Sequence, residues 1–190
     1  MRYFAFAVLL TIISCSFSYC QENPFEVIEA IEIKEGMKVC EVGAGDGFYS
    51  FLFSEVVGIN GHVFVNEINR KLLKGIDERI SKENIPNMST ILGRSKDPCL
   101  PNDSVDLVFL RHVLHCMKKP EKWMNKTGDY LPNGSRMVII DGDPDITGYG
   151  NNYLIRKETV LKMAEESGFI LEKLETFLLP EDYIYIFRKL

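Results

Sequence analysis

An apolar stretch, Met37-Lys-Val-Cys-Glu-Val42, runs directly into Gly43, Gly45 and Gly47 and then out into the helical pattern Phe48 to Val57. A strand that enters a glycine-rich turn and leaves as a helix offers backbone N–H groups and little side-chain bulk. That suits a ligand lying against the main chain. A dinucleotide fingerprint follows G-x-G-x-x-G, and its third glycine lets helix and strand pack closely. Phe48 stands at that third position here, and no GK[ST] ending marks a P-loop. The spacing therefore disfavours bound pyrophosphate and prefers a cofactor without phosphates.

The rest of the chain builds on this unit in a regular order. Pro24 to Ile33 reads as a short amphipathic helix, and His62 to Glu67 as a second strand. Arg70 to Ile80 carries a helical apolar stripe, followed by strands at Ser89 to Leu92 and Val105 to Leu110. Lys119 to Leu131 reads as a helix with Pro120 in its first turn, where proline is tolerated. Arg136 to Asp141 is a fifth strand, and Lys157 to Ser167 a helix ended by Gly168. Phe169 to Leu179 and Tyr183 to Arg188 then read as consecutive strands with no helix between them. Alternating strands and helices imply an α/β fold whose parallel sheet is covered on both faces. The short final connection forces the last strand antiparallel, because a parallel crossover needs a dozen or more residues. The expectation is a mostly parallel seven-stranded sheet with an antiparallel last strand.

Glu67 lies 20 residues beyond Gly47, at the end of the second strand. In this architecture that position faces the cofactor cleft, where a carboxylate can accept both ribose hydroxyls. NAD enzymes use an acid there too, so Glu67 supports an adenosine-type ligand without choosing one.

Composition bounds the remaining possibilities. The chain has 190 residues and 46% hydrophobic content, enough for one domain over about residues 23–190. A net charge of -5 leaves no basic footprint for nucleic acid. Residues 1–20 read as a signal peptide or membrane anchor: Arg2 is followed by an apolar run from Tyr3 to Ile13 and a small polar region. Ile12-Ile-Ser-Cys15 also resembles a lipobox, which would lipidate Cys15. Export or membrane anchoring through this segment is the expectation, with a cytoplasmic domain as the alternative. Cys40, Cys99 and Cys116 are too widely spaced for a metal motif and read as structural. Asn87-Met-Ser and three further Asn-x-Ser/Thr triplets read as turn chemistry.

Five stretches taken together resemble one family. Val39 to Ser50 looks like motif I of the class I S-adenosylmethionine-dependent methyltransferases, and Gly61 to Glu67 like their second strand. Asp97 to Leu110, Val113-Leu-His-Cys116 and Leu131 to Ile140 resemble their fourth-strand region, the motif after it and their fifth strand. The resemblance is greatest to small methyltransferase-domain proteins related to the quinone-biosynthesis methyltransferases. It implies S-adenosylmethionine as cofactor and a Rossmann-like methyltransferase fold. Glu41 and the backbone of Gly43, Gly45 and Gly47 would hold the methionine end, Glu67 the ribose, and Ile68 the adenine face. Gly93 to Asp97 would approach the adenine edge, and Arg111 and His112 would flank the sulfonium. Three positions depart from the pattern: Asp46 replaces threonine, Arg94 an aspartate, and Cys116 the second histidine. Asp97 or Ser95 would then have to take over the adenine contact.

Methyl transfer needs positioning above all, and a base only where the acceptor must lose a proton. His112 and His115 are the candidates, with capping or packing the plainer role for His115. Asp141, Asp143 and Asp145 fall in the loop after the fifth strand, but nothing completes an EF-hand, and no metal is expected. Tyr49, Tyr149 and Tyr153 are candidate pocket aromatics. A small-molecule acceptor is expected. A binding module without turnover and an NAD-dependent oxidoreductase are the alternatives, the latter opposed by Phe48 and the terminal strand pair.

Overall fold

Side chains alternate across a strand, and here that alternation sorts the core into two layers. The computed structural model describes residues 23–102, 104–147, 153–176 and 178–190. The leader at 1–20, with Cys15, and Tyr149 lie outside the described residues. The strands are β1 (Lys38–Val42), β2 (His62–Glu67), β3 (Met88–Leu92), β4 (Leu107–Arg111), β5 (Arg136–Gly142), β6 (Phe169–Glu175) and β7 (Asp182–Lys189). They form one sheet in the order β3-β2-β1-β4-β5-β7-β6. Pairs from β3 through β5 are parallel, and β7 runs antiparallel to both β5 and β6. The expected mixed seven-stranded sheet is thus what forms.

Val39, Val63, Val65, Phe109 and Ile140 face one layer, with α1 (Pro24–Ala30), α2 (Phe48–Val57) and α3 (Arg70–Glu83). Cys40, Val108, Leu110, Ile139 and Tyr185 face the other, with α4 (Pro120–Gly128) and α6 (Lys157–Glu166). Cys40 is fully buried in this second layer, as a small hydrophobe would be. Asn87, expected as turn chemistry, is itself buried: its amide donates to the carbonyls of Ser54 and Gly58 and accepts from the Ser54 hydroxyl. It thereby adds a second donor to two carbonyls at the end of α2, which also accept the Gly58 and Gly61 N–H groups.

Several elements depart from the sequence reading; α1 stops at Ala30 and β4 begins at Leu107. The helix expected over Lys119 to Leu131 stops at Gly128. The strand expected from Phe169 to Leu179 stops at Glu175, after a bulge at Leu171/Lys173, and Leu179 turns back into the α1–α2 layer. A four-residue helix, α5 (Pro144–Thr147), occupies what reads as loop. Its start is fixed by Asp143, whose carboxylate accepts the N–H of Asp145 at 2.7 Å.

The β3–β4 crossover is unusual, because its described residues form no helix. The loop is held instead by backbone bonds exchanged between Arg94 and Asp97, and by the Asn66 amide donating to Pro98 O. On that side of the sheet His62, Phe64 and Ser89 are only half-buried. Among the described residues, no helix is long and apolar enough to cross a membrane.

Gly61 joins α2 to β2 at a point with no room for a side chain. A Cβ there would lie 2.5 Å from Val57 Cβ and 2.6 and 2.7 Å from the carbonyl oxygens of Met37 and Val57. Backbone cannot swing aside, so Gly61→Ala should destabilise the protein by about 2 kcal/mol. A urea midpoint within error of the parent would refute this packing.

Candidate functional site

Register sets the geometry of the site. Val42 pairs with Asn66 and Leu110, and Arg111 with Ile140, so β2, β1, β4 and β5 end along one edge. The glycine turn leaves β1 at that edge. Gly43, Gly45 and Gly47 have φ of +68°, +60° and +82°, in the left-handed region that glycine enters without penalty. A Cβ on Gly43 would also lie 2.6 Å from Val113 Cγ2, whereas one on Gly45 would meet nothing within 4 Å. The turn is therefore tight on its inner side and open outward. Asp46 finds its reason here. Gly47 cannot cap α2 with a side chain, and the Asp46 carboxylate accepts the Phe48 N–H at 3.1 Å instead.

Glu67 meets this turn from β2. One carboxylate oxygen accepts Gly45 N–H at 3.0 Å, and the other accepts Ile68 and Asn69 N–H at 2.7 and 2.9 Å. Ile68 stands beside it with 62% of its surface exposed. Both line a cleft of about 1120 Å³ that runs from Val42 and Gly43 past Arg94, Ser95 and Lys96 and along α4. Of the two residues considered for the adenine edge, Ser95 lines this cleft and Asp97 does not. Asp97 is occupied elsewhere: its carboxylate accepts Cys99 N–H and the Tyr130 hydroxyl, each at 2.8 Å. Burial works against its charge, but those two bonds, with Lys126 and Arg94 nearby, hold its pKa below the usual carboxylate value.

Glu41 lies beneath the turn, 6% exposed, and accepts a short hydrogen bond from the Ser50 hydroxyl of α2. Burial pushes its pKa up to about 7, against the Ser50 bonds that pull it down; Asp46 raises it further and Arg111 lowers it. Arg111 also stands over the Tyr49 ring at 5.8 Å. Tyr49 itself is core, packed on Phe53 and Phe109, and so is no pocket aromatic.

The two histidines differ. His112, with φ of +53°, is exposed, and its Nε2–H donates to Asp182 at 2.7 Å. That bond raises its pKa above the usual 6.5 despite partial burial. The His115 side chain is 8% exposed; its Nδ1–H donates to Asp141 Oδ1 at 2.5 Å, and its backbone N–H to Oδ2 at 3.2 Å. The Tyr153 ring lies 4.7 Å from the His115 ring, and Cys116 Sγ lies 3.8 Å from the Tyr153 hydroxyl. The acids of the Asp141 to Asp145 loop go to separate partners: Asp141 to His115, Asp143 to the Asp145 and Lys157 N–H groups, and Asp145 to Arg156.

Asp182 and the pairing of Asp141 with His115 were not legible from spacing, since 70 and 26 residues separate the partners. Strand adjacency is the signal that could have found the second pair, because β4 and β5 are neighbours.

This fold, with a glycine turn met by an acid from β2, is the Rossmann-like fold of the methyltransferase type. A family model described as a methyltransferase domain matches residues 33–182, and the chain belongs to that family. A protein-L-isoaspartate O-methyltransferase of Ignicoccus hospitalis is 32% identical over 149 residues, covering 78% of this chain and 63% of that one. A ubiquinone/menaquinone biosynthesis C-methyltransferase of Vibrio vulnificus is 24% identical, covering 60% of this chain and 44% of that one. The chain thus spans less than two thirds of the length of these curated relatives. A solved SAM-dependent methyltransferase from Aquifex aeolicus shares the fold, with a TM-score of 0.76 at 21% identity over 87% of this chain and 88% of that one.

Glu41 gives the site a pH signature. With a folded pKa near 7 against the usual 4.5, the native state holds the proton longer than the unfolded chain. Its contribution to stability therefore falls as pH rises from about 4.5 to 7, by on the order of 3 kcal/mol. Glu41→Gln should lose less stability than the parent between pH 5 and pH 8 in urea unfolding. Parallel pH profiles would overturn the assignment.

Proposed function

We propose that the protein binds S-adenosylmethionine over the carboxyl edge of β1, β2 and β4 and methylates a small molecule by in-line displacement. The observation that carries this is the Glu67 carboxylate at the open glycine turn, with exposed Ile68 beside it. The fit is physical. Gly43 has no room for a Cβ, so backbone rather than side chain meets the ligand, and an exposed isoleucine invites a flat apolar partner. Glu67 would take the ribose, Ile68 the adenine face and Ser95 its edge. Backbone groups of Gly43, Gly45 and Gly47 would meet the methionine end, with Glu41 beneath them and Arg111 and His112 toward the sulfonium. Bound there, the cofactor supplies an activated methyl group.

The chain's own residues manage the proton. Asp141 fixes the His115 tautomer by accepting from Nδ1, which leaves Nε2 as the basic nitrogen. His115 is thus the candidate base for an acceptor hydroxyl, and Asp141 would steady the imidazolium that forms. Support for a small acceptor comes from the connections, which among the described residues hold one or two short helices or a loop rather than an inserted domain.

Calorimetric titration with S-adenosylhomocysteine tests the cofactor site. Glu67→Ala should raise the dissociation constant about tenfold or more, the scale of a lost charge-assisted bond. His115→Gln and Asp141→Asn should leave it within about twofold while lowering kcat about 100-fold, as loss of a base does. An unchanged constant in Glu67→Ala would mean that the ribose lies elsewhere.

Export or membrane anchoring through residues 1–20 is part of the same proposal. Intact-mass analysis of the mature protein from cells should show the leader removed, lipidated or retained in the membrane fraction. A full-length soluble chain would sink that part.

A further inference from the structure

Two features around α4 are not explained by folding. The first is the face left open where the β3–β4 crossover forms no helix among its described residues. The cleft extends from the adenosyl corner along that face, over apolar Val113, Met117 and Trp123. The second is charge. The chain carries a net -5, yet six cationic side chains line this one cleft against three acidic ones. Arg94, Lys96, Lys118, Lys119 and Lys122 are exposed, and no ion pair to another described residue is recorded for them.

Three of these lysines gather at the start of α4. Lys119 is the N-cap residue, it makes no side-chain cap, and Lys118 and Lys122 flank it. Helix stability asks for a Ser, Thr, Asp or Asn cap and acidic residues in the first turn; Glu121 supplies the second, and no side chain supplies the first. The positive end of the helix and three lysines against the single Glu121 favour an anion from outside the helix.

We infer that the α4 side of the cleft binds the acidic group, a phosphate, sulfonate or carboxylate, of a ligand with an apolar body. The body lies over Val113, Met117 and Trp123, and the acidic group meets Lys118, Lys119 and Lys122. This site adjoins the adenosyl corner at Glu67 and Ile68 but does not depend on methyl transfer. S-adenosylmethionine itself has no use for a row of lysines, since its charged groups lie at the methionine end.

The test uses the full chain and two fluorescent probes with the same aromatic body. One is 8-anilinonaphthalene-1-sulfonate and the other is N-phenyl-1-naphthylamine, which lacks the sulfonate. With S-adenosylhomocysteine at saturation, the sulfonate should bind about fivefold or more tightly than the neutral probe, as one lost charge-assisted contact predicts. Replacing Lys118, Lys119 and Lys122 together with Gln should weaken the sulfonate by a similar factor and leave the S-adenosylhomocysteine constant unchanged. Gln at Lys71, Lys74 and Lys82, exposed on α3, should change neither. Cosedimentation with phosphatidylglycerol vesicles that the α4 variant loses would assign the anion to a lipid headgroup; retained probe binding without cosedimentation would assign it to a soluble molecule. Equal binding of the two probes, an unaffected α4 variant or an equally affected α3 variant would overturn the inference. So would displacement of the sulfonate by S-adenosylhomocysteine, which would leave the cleft to the cofactor alone. Loss of S-adenosylhomocysteine binding in the parent would count against the cofactor reading and leave the probe comparison standing.

Discussion

The Glu67 carboxylate joins three pieces of backbone that come from different places in the chain. It accepts Gly45 N–H from the turn after β1, and Ile68 and Asn69 N–H from the approach to α3. Asn69 in turn caps α3 by accepting the Lys71 N–H. A carboxylate offers about four acceptor positions, so three are filled and about one stays open toward the cleft. The residue that the sequence marks for a ligand is therefore also the clasp that shapes the ligand's turn. Such a turn needs little reordering when a ligand arrives, and affinity rises when less order has to be created on binding.

The two-layer core follows from the same edge. Odd-numbered residues of β1 face α2 and even-numbered residues face α4, so Glu41 falls beneath the glycine turn while Val42 falls in the cleft. Asn66 also lines the cleft, and its amide reaches across to Pro98 O. Gly93 makes that possible, since a Cβ there would lie 2.5 Å from Asn66 Oδ1. One glycine thus lets the crossover, whose described residues form no helix, lie down against β2 beside the cleft.

How legible these features were depends on how local their signals are. α2 and β2 begin and end where the sequence reading placed them, because Gly47, Gly58 and Gly61 punctuate the pattern. The sheet order was legible in class, since alternation and one short final connection leave few topologies. Glu67 was legible because a strand end fixes it. The ends of α4 and β6 were not, since Tyr130, Leu131 and Leu178 are apolar residues that continue the expected pattern but pack on tertiary neighbours instead. Asp46 looked anomalous against a family pattern and became ordinary once Gly47 stood at the cap position. The partner of Asp97 was not legible either, since Tyr130, which bonds its carboxylate outside the cleft lining, lies 33 residues away.

The antiparallel strand explains why two histidines three residues apart differ chemically. A parallel strand in the place of β7 would start at the far edge of the sheet. Running antiparallel, β7 starts beside the end of β5, with Asp182 paired to Gly142. Its first residue therefore reaches the edge where His112 leaves β4, and the ion pair forms there. His112 holds its proton more tightly as a result, which suits a charge-neutral pair and leaves less of the unprotonated ring available near neutrality. His115 is held by Asp141 from β5 instead, with its ring more enclosed and Tyr153 against it. Strand direction, set by a short turn between the last two strands, thus gives His112 to Asp182 and leaves His115 to Asp141, the pairing on which the proposed base rests.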